Sequence, residues 1–178
     1  MLFRSCIKTY ESRQRDKNGI CSVDDTTLRV LALDDPWLKR AFHGVVPADQ
    51  LPQNPSRTTR AAYIVNTAPE GKPGRHWLAI WTENHVCKVL DSYGLPLTTY
   101  GAPDLLACLG HRPNLLRSEQ TLQALNSTAC GHYALMFLKD RARGDSMIPV
   151  ISWETIVVWV KTSDDGSWTN SKRVAKPM

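Results

Sequence analysis

The chain has 178 residues, 42% of them hydrophobic, and a formal net charge of +5. That is enough for one domain with a real core, and it excludes a disordered or fibrous chain. No stretch approaches the roughly 18 apolar residues of a membrane span, and the start Met1-Leu-Phe-Arg-Ser-Cys-Ile-Lys8 is charged too early for a secretory signal.

The expected setting is the cytosol or nucleus, with no secretion and no membrane contact. Five cysteines are present, at Cys6, Cys21, Cys87, Cys108 and Cys130. Their number is odd and no C-x-x-C pair occurs, so neither a disulfide framework nor a zinc site is suggested.

Residues 1–23 are polar and basic and read as an N-terminal extension. Residues 24–170 read as the folded domain, and 171–178 as a basic tail. Asp24-Asp25-Thr-Thr27 opens a helix capped by Asp or Thr, with Leu28, Leu31 and Ala32 inward. Asp34-Asp35-Pro36 ends it, because the residue before proline avoids the helical region. Phe42 to Leu51 is an extended piece and turn, and Ala61 to Asn66 is a strand. Glu70-Gly-Lys-Pro-Gly-Arg75 is rich in breakers and forms a loop.

Two strands follow, His76 to Trp81 and Val86 to Ser92, joined near Glu83-Asn84. A two-residue turn there sets His76 directly opposite Asp91, with Cβ atoms about 5 Å apart on one face. A one-residue slip would spoil this. Pro103 to Gly110 is a short helix and Arg117 to Leu122 another strand. Ser127 or Thr128 caps the helix that contains Cys130 in its first turn and runs to about Arg141, with Gly144 suited to its C-terminal end. Ile151 to Lys161 is a final amphipathic helix, or a strand given its crowded β-branched residues. A helix, then strands, then helices is an α+β order.

Cys130 stands where the helix presents unpaired N–H groups and a partial positive charge, both of which favour a thiolate. An isolated cysteine is most often an inert buried hydrophobe. The companions of Cys130 argue for more. His76 can act as its general base, Asp91 can orient that imidazole, and Gln123 can offer an amide N–H to a developing oxyanion. The Cys130 backbone N–H is a second donor. His43, His85, His111 and His132 compete with His76, but His132 lies two residues from Cys130 on a helix and does not face it.

Ala62-Tyr-Ile-Val-Asn66-Thr67, His76-Trp77 and Gln123-x-x-Asn126-Ser127-x-Ala129-Cys130-Gly131 together resemble the adenovirus protease (adenain) family of cysteine endopeptidases. Phe42-His-Gly-Val-Val-Pro47 is similar to the segment before that family's first strand. The resemblance spans residues 28 to 140 and is weaker between Ser92 and Leu122. It implies a mixed, largely antiparallel sheet packed against a central helix carrying the nucleophile. Residue by residue it implies Cys130 as nucleophile, His76 as base and Gln123 as oxyanion donor. Asp91 falls where adenoviral enzymes have glutamate. It matches instead the related SUMO-type proteases, whose motif Leu90-Asp91-Ser92 resembles.

The implied activity is viral maturation: cleavage of capsid and core precursors at Gly-Gly or Gly-X-Gly-like sites, in the virion and host nucleus, by a monomer. The chemistry requires no cofactor. DNA and a short viral peptide disulfide-bonded to a cysteine are implied activators, and Cys108 is the candidate for that link by position. The basic stretches Arg4–Lys17 and Lys172–Lys176 suit an acidic partner, and the lack of a base-reading motif makes any DNA binding sequence-independent. Two alternatives stand beside this: a deubiquitinase or SUMO-type protease acting on host conjugates, and a non-catalytic DNA- or capsid-associated protein.

Overall fold

The computed structural model describes residues 23–52, 60–109, 114–124, 126–144, 158–161 and 168–171. In chain order these form α1 (Asp25–Leu33), β1 (Phe42–Pro47), β2 (Ala61–Asn66), β3 (Trp77–Glu83), β4 (Val86–Leu90), α2 (Pro103–Leu109), β5 (Leu115–Arg117), α3 (Cys130–Arg143), β6 (Val158–Lys161) and β7 (Trp168–Ser171). Five strands make one sheet in the order β1-β2-β3-β4-β5, and β6 and β7 pair separately.

The sheet is mixed. Its two inner pairings, β2 with β3 and β3 with β4, are antiparallel, while both edge strands run parallel to their neighbours. It is thus half parallel, where a largely antiparallel sheet was expected. The physical reason is that β1 and β5 each reach the sheet through a long connection rather than a tight hairpin.

β2 is apolar at every position but its last, as a strand covered on both faces must be. One face, with Ala62, Ile64, Ala79 and Trp81, packs against Leu28 and Ala32 of α1 and Ala134, Leu135, Phe137 and Leu138 of α3. The other, with Tyr63, Val65, Leu78 and Ile80, packs against Leu105, Cys108 and Leu109 of α2. Two layers of helix therefore sandwich the sheet.

Asp24 caps α1 as expected, accepting from Thr27 N–H at 2.8 Å. Gly144 ends α3 in the left-handed region, at φ 85°. The start of α3 differs. Ala129 stands at the cap with no side-chain bond, and Ser127 Oγ instead accepts from Ala129 N–H at 3.3 Å.

Two further expectations are corrected. The β3–β4 turn centres on Asn84 and His85, both with positive φ (50° and 64°), not on Glu83 and Asn84. Asn tolerates this left-handed geometry, which the primed hairpin turns require. The ladder accordingly pairs Glu83 with Val86 and Ala79 with Leu90. β5 occupies Leu115–Arg117, and the stretch expected as its continuation, 118–122, is a loop bonded to the segment after β4. Within Ile151 to Lys161 the described part, Val158–Lys161, is a strand, the second of the two readings its β-branched residues left open. Residues 151–157 lie outside the described residues, as do 1–22 of the basic extension and 172–178 of the tail; Val23 instead packs into the core and Ser171 ends β7.

Candidate active site

His76 sits at the mouth of β3, at the end of a loop that Asn66 draws closed. Asn66 Oδ1 accepts from Ala68 N–H at 2.9 Å and Arg75 N–H at 3.2 Å, and Thr67 N–H bonds to the His76 carbonyl at 2.9 Å. A Cβ at Gly74 would lie 2.6 Å from Asn66 Nδ2, so a larger residue there would push the asparagine side chain aside.

His76 is buried and Asp91 wholly so, and they meet through Nε2 and Oδ1 at 2.8 Å. The carboxylate is filled by four donors. Oδ1 also accepts from Tyr93 N–H (2.9 Å), while Oδ2 accepts from Leu95 N–H (3.1 Å) and the Tyr100 hydroxyl (2.6 Å). Burial alone would raise the Asp91 pKa, but the bonds from His76, Tyr100 and Tyr93 N–H hold it below the ordinary aspartate value.

The hairpin does not oppose His76 and Asp91 directly. Extended by three residues, its register places Tyr93 opposite His76 and Asp91 diagonally on the same face. The rings of His76 and Tyr93 stack at 4.5 Å between centroids, and Tyr100 stacks on His76 at 5.3 Å. A two-residue error in register preserves the face, which is why the contact survives.

Cys130 is the first residue of α3 and is half-buried. Because Nε2–H donates to Asp91, Nδ1 is the nitrogen that carries the lone pair when the ring is neutral. That nitrogen is buried and makes no hydrogen bond of ordinary geometry. The Cys130 side chain is nevertheless close enough to act on the ring. Burial pulls the His76 pKa down, but hydrogen bonding to Asp91 and Cys130, and the charge of both, push it up to about 9. A loose thiol–imidazole contact is ordinary before substrate tightens a site.

Gly131 lets this helix start lie against the chain entering α1. A Cβ there would come within 2.3 Å of Val23 Cγ2 and 3.2 Å of Trp77 Cδ1. Trp77 Nε1–H in turn donates to the Val23 carbonyl at 3.2 Å. The neighbours of Cys130 and His76 are therefore packed on one another.

Gln123 is buried in the loop before α3. Its Nε2–H donates to the Ser127 carbonyl at 2.8 Å, and its Oε1 accepts from the Ser92 hydroxyl at 2.7 Å. The amide also reaches the Tyr93 phenol. Burial raises the Tyr93 pKa, the charge of Cys130 adds to this, and the Gln123 bond opposes it.

The four residues singled out from sequence thus converge. The competing histidines stand apart: His43 is exposed and stacks on Tyr63, while His85 and His132 are exposed. His111 lies outside the described residues. Cys108 is buried on the opposite side of the sheet, with its thiol donating to the Pro52 carbonyl at 3.1 Å. Tyr93 and Tyr100 were missed as site residues. Tyr93 shares the parity of Asp91, a usable signal, whereas Tyr100 returns by a turn that no spacing reveals.

No protein-family model matches the chain. Among solved structures it is similar to the ASFV pS273R protease, with 18% identity and a TM-score of 0.29. That match covers 48% of this chain and 36% of the other, so the chain spans about a third of the structure it resembles. No helix among the described residues is long and apolar enough to cross a membrane.

Proposed function

We propose that the chain is a cysteine endopeptidase in which Cys130 is the nucleophile, His76 the general base and Asp91 its orienting carboxylate. The observation that carries this reading is the buried His76–Asp91 bond of 2.8 Å, with the second imidazole nitrogen left for the thiol at the head of α3.

Nδ1 of the neutral His76 ring takes the Cys130 proton, and the sulfur attacks the scissile carbonyl carbon. The oxyanion that forms is met by the backbone N–H of Cys130 and by the Gln123 amide, which releases the Tyr93 phenol to do so. The imidazolium then protonates the leaving amine, and water, deprotonated by the same imidazole, hydrolyses the thioester. Asp91 holds the ring in the tautomer that this requires.

The substrates proposed are viral capsid and core precursors, cut at Gly-Gly or Gly-X-Gly-like sites in the virion or host nucleus. DNA and a short peptide are the proposed activators, with Cys108 as the candidate link. Because its thiol is buried, that link requires the Pro52 segment to move aside. The aspartate at position 91 favours a second reading, a SUMO-type or deubiquitinating protease. Peptides containing Gly-Gly or Gly-X-Gly, set against intact ubiquitin-like conjugates, separate the two. Cys130→Ser tests the chemistry itself. Hydrolysis by the purified chain should vanish in that variant, and hydrolysis that persists refutes the protease reading.

A further inference from the structure

Ser92 follows Asp91 directly and is itself buried, yet the mechanism above gives it nothing to do. Its backbone carbonyl accepts from Leu122 N–H at 2.7 Å and Gln123 N–H at 3.0 Å, fixing the main chain of the glutamine. Its hydroxyl then reaches the glutamine side chain, at 2.7 Å from Oε1.

The chemistry of these partners decides which way the amide faces. A side-chain amide has two nearly isosteric orientations that exchange its NH2 and its oxygen. The Ser127 carbonyl can only accept, so the amide atom 2.8 Å from it must be nitrogen. The oxygen is then directed at Ser92, whose hydroxyl must donate. In the reversed orientation a carbonyl oxygen would face Ser127 and would meet an oxyanion with lone pairs instead of N–H.

Resting on the protease reading, we propose that Ser92 is a positioning residue: its hydroxyl locks the Gln123 amide so that N–H, not C=O, serves the oxyanion. The dipeptide Asp91-Ser92 thereby sets both halves of the site, orienting the base through its first residue and the oxyanion donor through its second.

The test is Ser92→Ala in the full chain, which keeps both backbone bonds and removes only the hydroxyl. On a quenched-fluorescence Gly-Gly peptide, kcat should fall about ten-fold or more, part of the ~10²–10³ that a whole oxyanion donor is worth. KM should move less than about two-fold. Alkylation of Cys130 by iodoacetamide, followed on its own peptide by mass spectrometry, needs no oxyanion hole and should keep its rate. In a Gln123→Ala background Ser92→Ala should cost nothing more. A kcat equal to that of the parent chain overturns the proposal. So does an equal loss without Gln123, or a parallel loss of alkylation, which would locate the effect at the thiol and imidazole. A parent chain that cleaves no peptide, and behaves like Cys130→Ser, removes the protease reading and the role of Ser92 with it.

Discussion

Asp91 accepts from four donors, and the protonation of His76 depends on it. Asp91→Asn keeps the shape but removes the charge, so the His76 pKa should drop from about 9 towards the ordinary histidine value; NMR titration of the ring measures this. Cys130→Ser should lower it as well, since the thiol also supports the cation, and an unchanged titration would deny their contact. The sign of the stability effect follows. A raised histidine pKa stabilises the fold fully below about 6.5, and that contribution is lost as pH rises through about 9. The depressed Asp91 pKa acts oppositely, contributing above the ordinary aspartate value and failing as pH falls through its folded value. Urea unfolding of the parent chain should therefore weaken on both sides, and Asp91→Asn should flatten the alkaline limb. Asp91→Ala should slow hydrolysis more than Asp91→Glu, and equal losses would count against an orienting role. Tyr100→Phe keeps the ring on His76 but deletes the hydroxyl 2.6 Å from Oδ2, and should cost about 1.5–3 kcal/mol in urea unfolding.

The hairpin shows what a pattern of residues can and cannot convey about an element. Its strands were legible because apolar residues crowd both, and Asn84 marked the turn. Which two residues formed that turn was not legible, since Glu83-Asn84 and Asn84-His85 both offer asparagine and only the backbone distinguishes them. The resulting register differs by two, an even number, so His76 and Asp91 stayed on one face and met along the diagonal. β5 was harder, because a three-residue parallel edge strand carries almost no periodicity. That Cys130 lies in the first turn of α3 was legible, but the cap residue was not, nor was the demand on Gly131, which comes from Val23, more than a hundred residues away. Gly131→Ala is the prediction at this scale. The new methyl overlaps a stiff β-branched side chain 2.3 Å away, so Val23 or the helix start must shift. A stability loss of about 1–3 kcal/mol is expected, with a fall in peptide hydrolysis as Cys130 moves from His76. An alanine variant with the parent's stability and rate would show the contact to be slack.

Charge is a property of the whole chain, and its arrangement here differs from that of the site. The site confines its charge to a few groups, the Asp91 carboxylate and the His76 ring, both buried. The excess that makes the net charge +5 includes basic stretches between Arg4 and Lys17 and between Lys172 and Lys176, at the two ends of the sequence. An acidic polymer bound to those stretches would act on the rate by holding enzyme and substrate on one strand or by tethering the ends. Both depend on displaced counterions. Duplex DNA of arbitrary sequence should therefore stimulate hydrolysis of a precursor that itself binds DNA, and the stimulation should fade steeply between about 50 and 200 mM salt. Removing residues 172–178 should shift that fading to lower salt, while the rate without DNA stays that of the parent chain. Hydrolysis of a short peptide that carries no positive charge should respond far less. Stimulation that persists unchanged at high salt, or that demands one DNA sequence, would rule out this electrostatic origin and require a binding surface among the folded elements.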